Sequence, residues 1–232
     1  MKNIAIILAG GKGSRAGDGL PKQFRALPDG RTVLETCVAA FHQNEHIDEI
    51  AVVMLKDYFE AAKALLTIEK YPKVHYWIAG GSERWESSLR AVETITKEIQ
   101  AQGLDDCNVL IHDCARPFIS SELITKVCQV LLAHKAVSIG IPVTDTLYIT
   151  QNDGQGEVVE QVPPRAIFRR AQTPQSFRLS LITRAYRKAQ LDSACRFTDD
   201  TGVVIQTLPD EKVYVIEGEE SNRKLTFKED FE

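Results

Sequence analysis

Residues 9–15 read Ala-Gly-Gly-Lys-Gly-Ser-Arg, and Pro-Lys-Gln-Phe follows at 21–24. Gly10, Gly11 and Gly13 carry no Cβ, so their backbone N–H groups can crowd around an anion as a concave site of oriented amides. Arg15 and Lys22 add full positive charges a few residues further on, where a polyphosphate concentrates its negative charge. A tight turn after a strand accounts for the glycines alone, but it leaves both cations without a role. The segment, starting at Ala9, reads as a cradle for a nucleoside triphosphate.

Two other glycine patterns compete with that reading. A P-loop needs Gly-Lys followed by Ser or Thr, and here Lys12 is followed by Gly13. The dinucleotide fingerprint is formally met by Gly11, Gly13 and Ala16, yet it should open a long helix. Gly17, Gly19 and Pro21 break any helix at once. A nicotinamide-dependent oxidoreductase therefore stands as an alternative only.

Further groups with chemical capacity recur along the chain. Gly80-Gly81-Ser82-Glu83-Arg84-Trp85-Glu86-Ser87-Ser88 should join a strand to a helix. Its hydroxyls and helix N-terminal amides suit a base or a phosphate, although a well-capped helix is the plainer reading. Asp113 and Arg116, within Ile111–Pro117, offer a carboxylate for a ribose hydroxyl or a phosphate-borne metal and a bidentate grip for a second phosphate. An internal ion pair between them is the plainer reading there. Asp145-Thr146, then Arg165 with Gln172-Thr173-Pro174-Gln175, then Lys224 within Asn222–Thr226, add hydroxyls and cations at later element ends. Singly, exposed cations are usually solvated.

These groups need a scaffold. Apolar runs at 4–8, 50–55, 74–78, 109–112, 137–141 and 213–216 predict strands. Between them, Asp57 with Glu60 predicts a capping box ahead of a face made by Phe59, Ala62, Leu65 and Leu66. Val92, Ile95 and Ile99 form a second stripe, and Ile124, Val127, Cys128 and Leu131 a third. The alternation predicts an α/β fold, a doubly wound, mostly parallel sheet whose ligands lie beyond the carboxyl ends of its strands. Residues 147–170 break the rhythm and predict a β-hairpin arm with an Asp153-Gly154 turn. The whole chain, 1–232, is expected to be one domain with that arm protruding.

Composition narrows the class. The net charge is −4 and the apolar content 44%, so there is enough core for one domain and no electrostatic footprint for nucleic acid. The opening apolar run is too short for a signal peptide or a membrane span, which predicts a cytoplasmic protein without membrane contact. Five scattered cysteines without CxxC spacing and five histidines without HExxH suggest neither a disulfide framework nor a protein-only metal cage. Cys114 has no evident base beside it and is a poor nucleophile candidate.

Taken in order, Ala9–Arg15, Pro21–Phe24, Gly80-Gly81 with Arg84 and Ser87, His112-Asp113 with Ala115-Arg116-Pro117, Asp145-Thr146, Gln172–Gln175, Thr198-Asp199-Asp200 and Asn222 with Lys224-Leu225-Thr226 resemble the polyol-phosphate cytidylyltransferases. The resemblance covers nearly the whole chain. It implies a nucleotidyltransferase fold, CTP and Mg²⁺, a polyol-phosphate acceptor, and a homodimer joined through the arm. On matching positions, Ala9, Gly10, Gly11, Gly13, Gly80, Ser87 and Asp113 would bind the nucleotide, with Mg²⁺ held mainly by the CTP phosphates near Asp113. Arg15, Lys22 and Lys224 would be the catalytic cations, and Arg116, Thr146, Arg165 and Thr173 would bind the acceptor. The expected acceptor is 2-C-methyl-D-erythritol 4-phosphate, with ribitol 5-phosphate as the alternative. A silent nucleotide-binding subunit is the remaining one. A phosphate monoester is already an anionic nucleophile, so cations and Mg²⁺, not a general base, would do the catalysis.

Overall fold

The computed structural model describes residues 1–10, 21–191 and 197–231. Gly11, Gly13 and Arg15, expected in the triphosphate cradle, lie outside the described residues, as does Cys195.

Nine strands are described: β1 (Asn3–Leu8), β2 (Glu49–Met54), β3 (Val74–Ala79), β4 (Asn108–Asp113), β5 (Ala136–Pro142), β6 (Ile149–Asn152), β7 (Glu157–Gln161), β8 (Arg169–Arg178) and β9 (Tyr214–Glu217). Seven of them form one sheet in the order β3-β2-β1-β4-β8-β5-β9. The first four run parallel, β8 is antiparallel to both neighbours, and β9 is parallel to β5. The sheet is thus doubly wound from β1 outward, and the mostly parallel expectation is met. Six α-helices are described beside it: α1 (Val33–Gln43), α2 (Phe59–Leu65), α3 (Arg84–Ala101), α4 (Ser121–Ala133), α5 (Leu179–Leu191) and α6 (Asp200–Thr207).

Strand side chains alternate between two cores because successive Cβ atoms point to opposite faces. Ala5 and Ile7 pack with α1, α2 and α4, including Phe41, Ala62 and Leu131. Ile4 and Ile6 pack with α3, α5 and α6, including Ile95, Tyr186 and Val203. Ile4, Ile6 and Ile7 are fully buried, and each contributes about 1.5–3 kcal/mol by leaving water. Helices on both faces explain why these strands are continuously apolar.

Some expectations need correcting. β8 was not expected; its ten residues span a segment rich in polar side chains. Asp57 makes no cap bond to α2; it sits in a 3-10 turn, Lys56–Tyr58. The reciprocal capping box is at α1 instead, where Thr32 Oγ1 accepts from the Glu35 amide at 3.1 Å and Glu35 Oε2 accepts from the Thr32 amide at 3.2 Å. A hairpin does form, β6 against β7, but it occupies 149–161 only. Arg169 and Arg170, counted with the arm, belong to β8. The turn is a four-residue loop, in which the Asp153 carboxylate accepts from the Gln155 and Gly156 amides at 2.8 and 3.0 Å and Gly154 has φ +90°. Among the described residues, no helix is long and apolar enough to cross a membrane.

Candidate active site

Strand register creates the site. Leu8 lies beside Val53 on one side and Asp113 on the other. Ala9 N donates to Val53 O at 2.7 Å, and Gly80 N donates to Met54 O at 2.9 Å. The four parallel strands therefore end on one line, and their following loops leave together, as ligand crevices in such sheets require. Between them opens a cavity of about 590 Å³ whose lining includes Ala9, Gly10, Lys22, Gly80, Ser87, Asp113 and Lys224. That volume suits a small-molecule ligand, typically about 300–1,000 Å³. Seven of the expected site residues thus come together.

The loop before α3 is held from the helix. Gly81 N donates to Ser87 Oγ at 3.0 Å, and that hydroxyl donates to Glu83 O at 3.2 Å. The Glu86 carboxylate accepts from Ser82 N and Ser82 Oγ at 2.7 and 2.9 Å. Helix side chains thus reach back over the loop; the N-cap residue, Glu83, makes no side-chain cap bond. Arg90 Nη1 donates to Gly80 O at 2.7 Å. A Cβ on Gly81 would lie 2.3 Å from Glu86 Cβ, so this close approach needs glycine.

Asp113 is the electrostatic centre. Its Oδ1 accepts from Arg84 Nε at 2.9 Å and its Oδ2 from Lys224 Nζ at 2.7 Å. Burial alone would raise its pKa; the Arg84 and Lys224 charges overturn that and hold the carboxyl well below the usual range. Arg84 Nη1 also donates to Asp200 Oδ2 at 2.7 Å. Burial opposes the charge on Arg84, and the two carboxylates more than restore it. The internal Asp113–Arg116 pair weighed from the sequence is not what forms.

Lys224 reaches the cavity because its neighbours are fixed. Leu225, fully buried, donates its amide to Ala115 O at 2.8 Å, and Asn222 Nδ2 donates to Thr173 O at 2.8 Å. Lys22 Nζ donates to Leu225 O at 3.3 Å, so two of the three expected catalytic cations, Lys22 and Lys224, converge on this segment.

Four expected acceptor ligands do not line the cavity. Arg116 donates to Asn222 O at 2.9 Å and Ala171 O at 3.2 Å. Arg165 donates to Thr144 O at 2.7 Å, and Thr146 is exposed. Thr173 is buried beneath Asp113, where its hydroxyl accepts from the Asp113 amide at 3.1 Å and meets His112 Nδ1 at 3.1 Å. His112 Nε2 lies 2.9 Å from the Arg116 carbonyl, which can only accept, so Nε2 carries the proton. Burial pushes the pKa of His112 down to about 4, which keeps the ring neutral and makes Nδ1 an acceptor. The Thr173 proton is therefore committed to His112, and its hydroxyl fixes Asp113 rather than facing a ligand in this structure.

Arg84 and Asp200 belong to the sequence motifs but carry no site role there, and Arg90 stands outside them. Arg90 had a local signal, standing three residues after Ser87 on one helix face. Arg84–Asp200 had none, at a separation of 116 residues. Cys114 lines the cavity but is buried.

Among the described residues there is no group of three His, Cys, Asp or Glu that could cage a metal. The cavity does offer Asp113 and Glu83 carboxylates, hard oxygen donors. Both Asp113 oxygens already accept from cations, so Mg²⁺, which keeps its waters and is bound through one or two carboxylates plus substrate phosphates, would fit there held mainly by phosphates.

Comparison with known proteins follows the same outline. The family described as "IspD: 2-C-methyl-D-erythritol 4-phosphate cytidylyltransferase" matches residues 3–232. A 2-C-methyl-D-erythritol 4-phosphate cytidylyltransferase of Thermobifida fusca is 42% identical over 97% of this chain and 89% of its own. The bifunctional ribulose 5-phosphate reductase/CDP-ribitol pyrophosphorylase Bcs1 of Haemophilus influenzae is 36% identical over 97% of this chain, which spans 46% of that protein. A crystal structure of 4-diphosphocytidyl-2C-methyl-D-erythritol synthase from Anaerococcus prevotii superposes with a TM-score of 0.82 at 32% identity, covering 99% of this chain and 92% of the other.

Proposed function

The chain belongs to the 2-C-methyl-D-erythritol 4-phosphate cytidylyltransferase family and is a CTP-dependent nucleotidyltransferase; on that premise we propose how its residues divide the work. The acceptor is 2-C-methyl-D-erythritol 4-phosphate. Its phosphate oxygen attacks the α-phosphorus of CTP, a new P–O–P bond forms, the α–β phosphoanhydride bond breaks, and pyrophosphate leaves. The observation that carries this reading is the convergence of Lys22, Lys224 and Asp113 beside the Gly80-Gly81 loop in one cavity at the strand ends.

No general base is needed, so the protein's task is to bring anions together in line. The Ala9-Gly10 edge, Gly80 and Ser87 receive the nucleotide, with Gly11 and Gly13 completing the cradle. Lys224 faces the α-phosphate, while Lys22 and Arg15 face the β- and γ-phosphates that depart. Asp113 holds the ribose side and, with the phosphates, would hold Mg²⁺. Bound there, the metal would neutralise phosphate charge as a Lewis acid. Arg116, Thr146 and Arg165 take the acceptor phosphate from outside the cavity, with Thr173 supporting Asp113 and the acceptor edge. The enzyme works in the cytoplasm as a homodimer through the arm that carries the β6–β7 hairpin; support comes from the exposed Tyr148, Ile149, Val159 and Val162 on and beside it.

The test is pyrophosphate release from CTP and Mg²⁺ with each acceptor. Faster turnover with 2-C-methyl-D-erythritol 4-phosphate than with ribitol 5-phosphate is expected. The reverse preference transfers the assignment to CDP-ribitol synthesis, the chemistry named for the Haemophilus relative. Inactivity with both overturns the acceptor class.

A further inference from the structure

Asp200 has no part in the transfer as described above. It lies outside the cavity lining and is fully buried. Its carboxylate nevertheless has two strong partners: the Tyr186 hydroxyl donates to Oδ1 at 2.6 Å, and Arg84 Nη1 donates to Oδ2 at 2.7 Å. Its amide donates to Gln175 Oε1 at 2.9 Å, and Gln175 Nε2 donates to Asp199 Oδ2 at 2.7 Å. Main chain and side chain are thus fixed from β8 and α5 at once.

Arg84 continues the series. Its Nε donates to Asp113 Oδ1, and Asp113 Oδ2 accepts from Lys224. Tyr186, Asp200, Arg84, Asp113 and Lys224 therefore form one unbroken file running from the α5 core to the cavity. A buried ion pair is a poor device for stability, since well-packed apolar residues do as well. It is a good device for holding one geometry. Arg84 straddles two carboxylates and neutralises each only in part. Were Asp200 neutral, the guanidinium charge would fall on Asp113 alone, and the hold of Asp113 on Lys224 would slacken.

We propose that Asp200 and Tyr186 are positioning residues for the transfer: they fix the Arg84 guanidinium, which orients the Asp113 carboxylate so that its second oxygen presents the Lys224 ammonium to the α-phosphate. The inference rests on the transferase reading above. Neither residue touches substrate; each acts through Arg84.

The experiment uses the full chain and two variants, Asp200→Asn and Tyr186→Phe. Turnover is measured per CTP site, with sites counted by calorimetric titration so that misfolded protein does not enter. With CTP affinity within about threefold of wild type, turnover per site should fall roughly tenfold in Asp200→Asn and about threefold in Tyr186→Phe, as expected when a preorganised charge loses its alignment. Crystal structures of the variants should show Lys224 Nζ displaced from its 2.7 Å contact with Asp113. Wild-type turnover per site in Tyr186→Phe, or an undisturbed Lys224–Asp113 contact in either variant, overturns the proposal, and Tyr186→Phe decides alone if Asp200→Asn does not fold. Wild-type protein that binds CTP yet releases no pyrophosphate would strike the transferase reading instead. The position of Lys224 in the variants would still judge this inference.

Discussion

Replacing Lys224 by Met removes an ammonium while keeping most of the stem, and the structure separates its two consequences. The side chain is 43% exposed and pairs with Asp113, so the ion pair contributes at most about 1 kcal/mol to folding. Asp113 keeps Arg84 on its other oxygen at 2.9 Å, so no buried charge is left alone. The melting temperature should therefore drop by no more than about 4 °C, the usual consequence of 1 kcal/mol in a chain of this size. Catalysis should suffer far more. Removing one preorganised donor from developing charge costs about 3 kcal/mol in the barrier, or roughly a hundredfold in kcat. The assay is continuous pyrophosphate release at saturating CTP and acceptor, paired with thermal melts of the same preparations. A Lys224→Met enzyme that turns over within about threefold of wild type would refute the placement of this ammonium at the α-phosphate.

Gly81→Ala should raise KM for CTP by about tenfold or more, because overpacking of about 1–3 kcal/mol falls where the new Cβ meets Glu86 Cβ at 2.3 Å; an unchanged KM would show that the loop yields freely. Arg165→Ala should raise KM for the polyol phosphate and leave KM for CTP alone; an effect confined to CTP would put Arg165 in the wrong pocket. His112 titrates at about 4 when folded against an ordinary value of 6.5, so between those limits the unfolded chain binds more protons and stability rises with pH. The contribution is complete above 6.5 and lost as pH falls toward 4, up to about 3 kcal/mol. Urea melts at pH 7 and pH 4.5 should show that slope in wild type and a smaller one in His112→Gln, and equal slopes would count against it.

The parallel half of the sheet was legible because Ile4–Leu8, Val109–His112 and their kin are uninterrupted apolar runs buried on both faces. β8 was not, since Pro174 interrupts a polar run, Gln172-Thr173 before it and Gln175-Ser176 after it, that shows no apolar alternation. Three of these side chains are satisfied by distant partners: Gln172 by the Glu219 backbone, Thr173 by His112, and Gln175 by Asp199 and Asp200. α1 carried its signal in Thr32 and Glu35; the same spacing at Asp57 and Glu60 gave no cap, because a 3-10 turn occupies that position. In the site, glycines and cations could be read from local spacing, and Lys22, Ser87, Asp113 and Lys224 line one cavity. The Arg84–Asp200 contact could not, because no local period links residues so far apart.

Lys224 follows every sheet strand in chain order and arrives at the cavity on a segment fastened to Ala115 and Thr173. A growing polypeptide therefore completes the strands of its sheet before it acquires the last reactive cation. Premature termination or proteolytic trimming just beyond β9 would remove Lys224 together with Asn222 and Leu225, both fully buried, so chemical competence and part of the cavity's support would go at once.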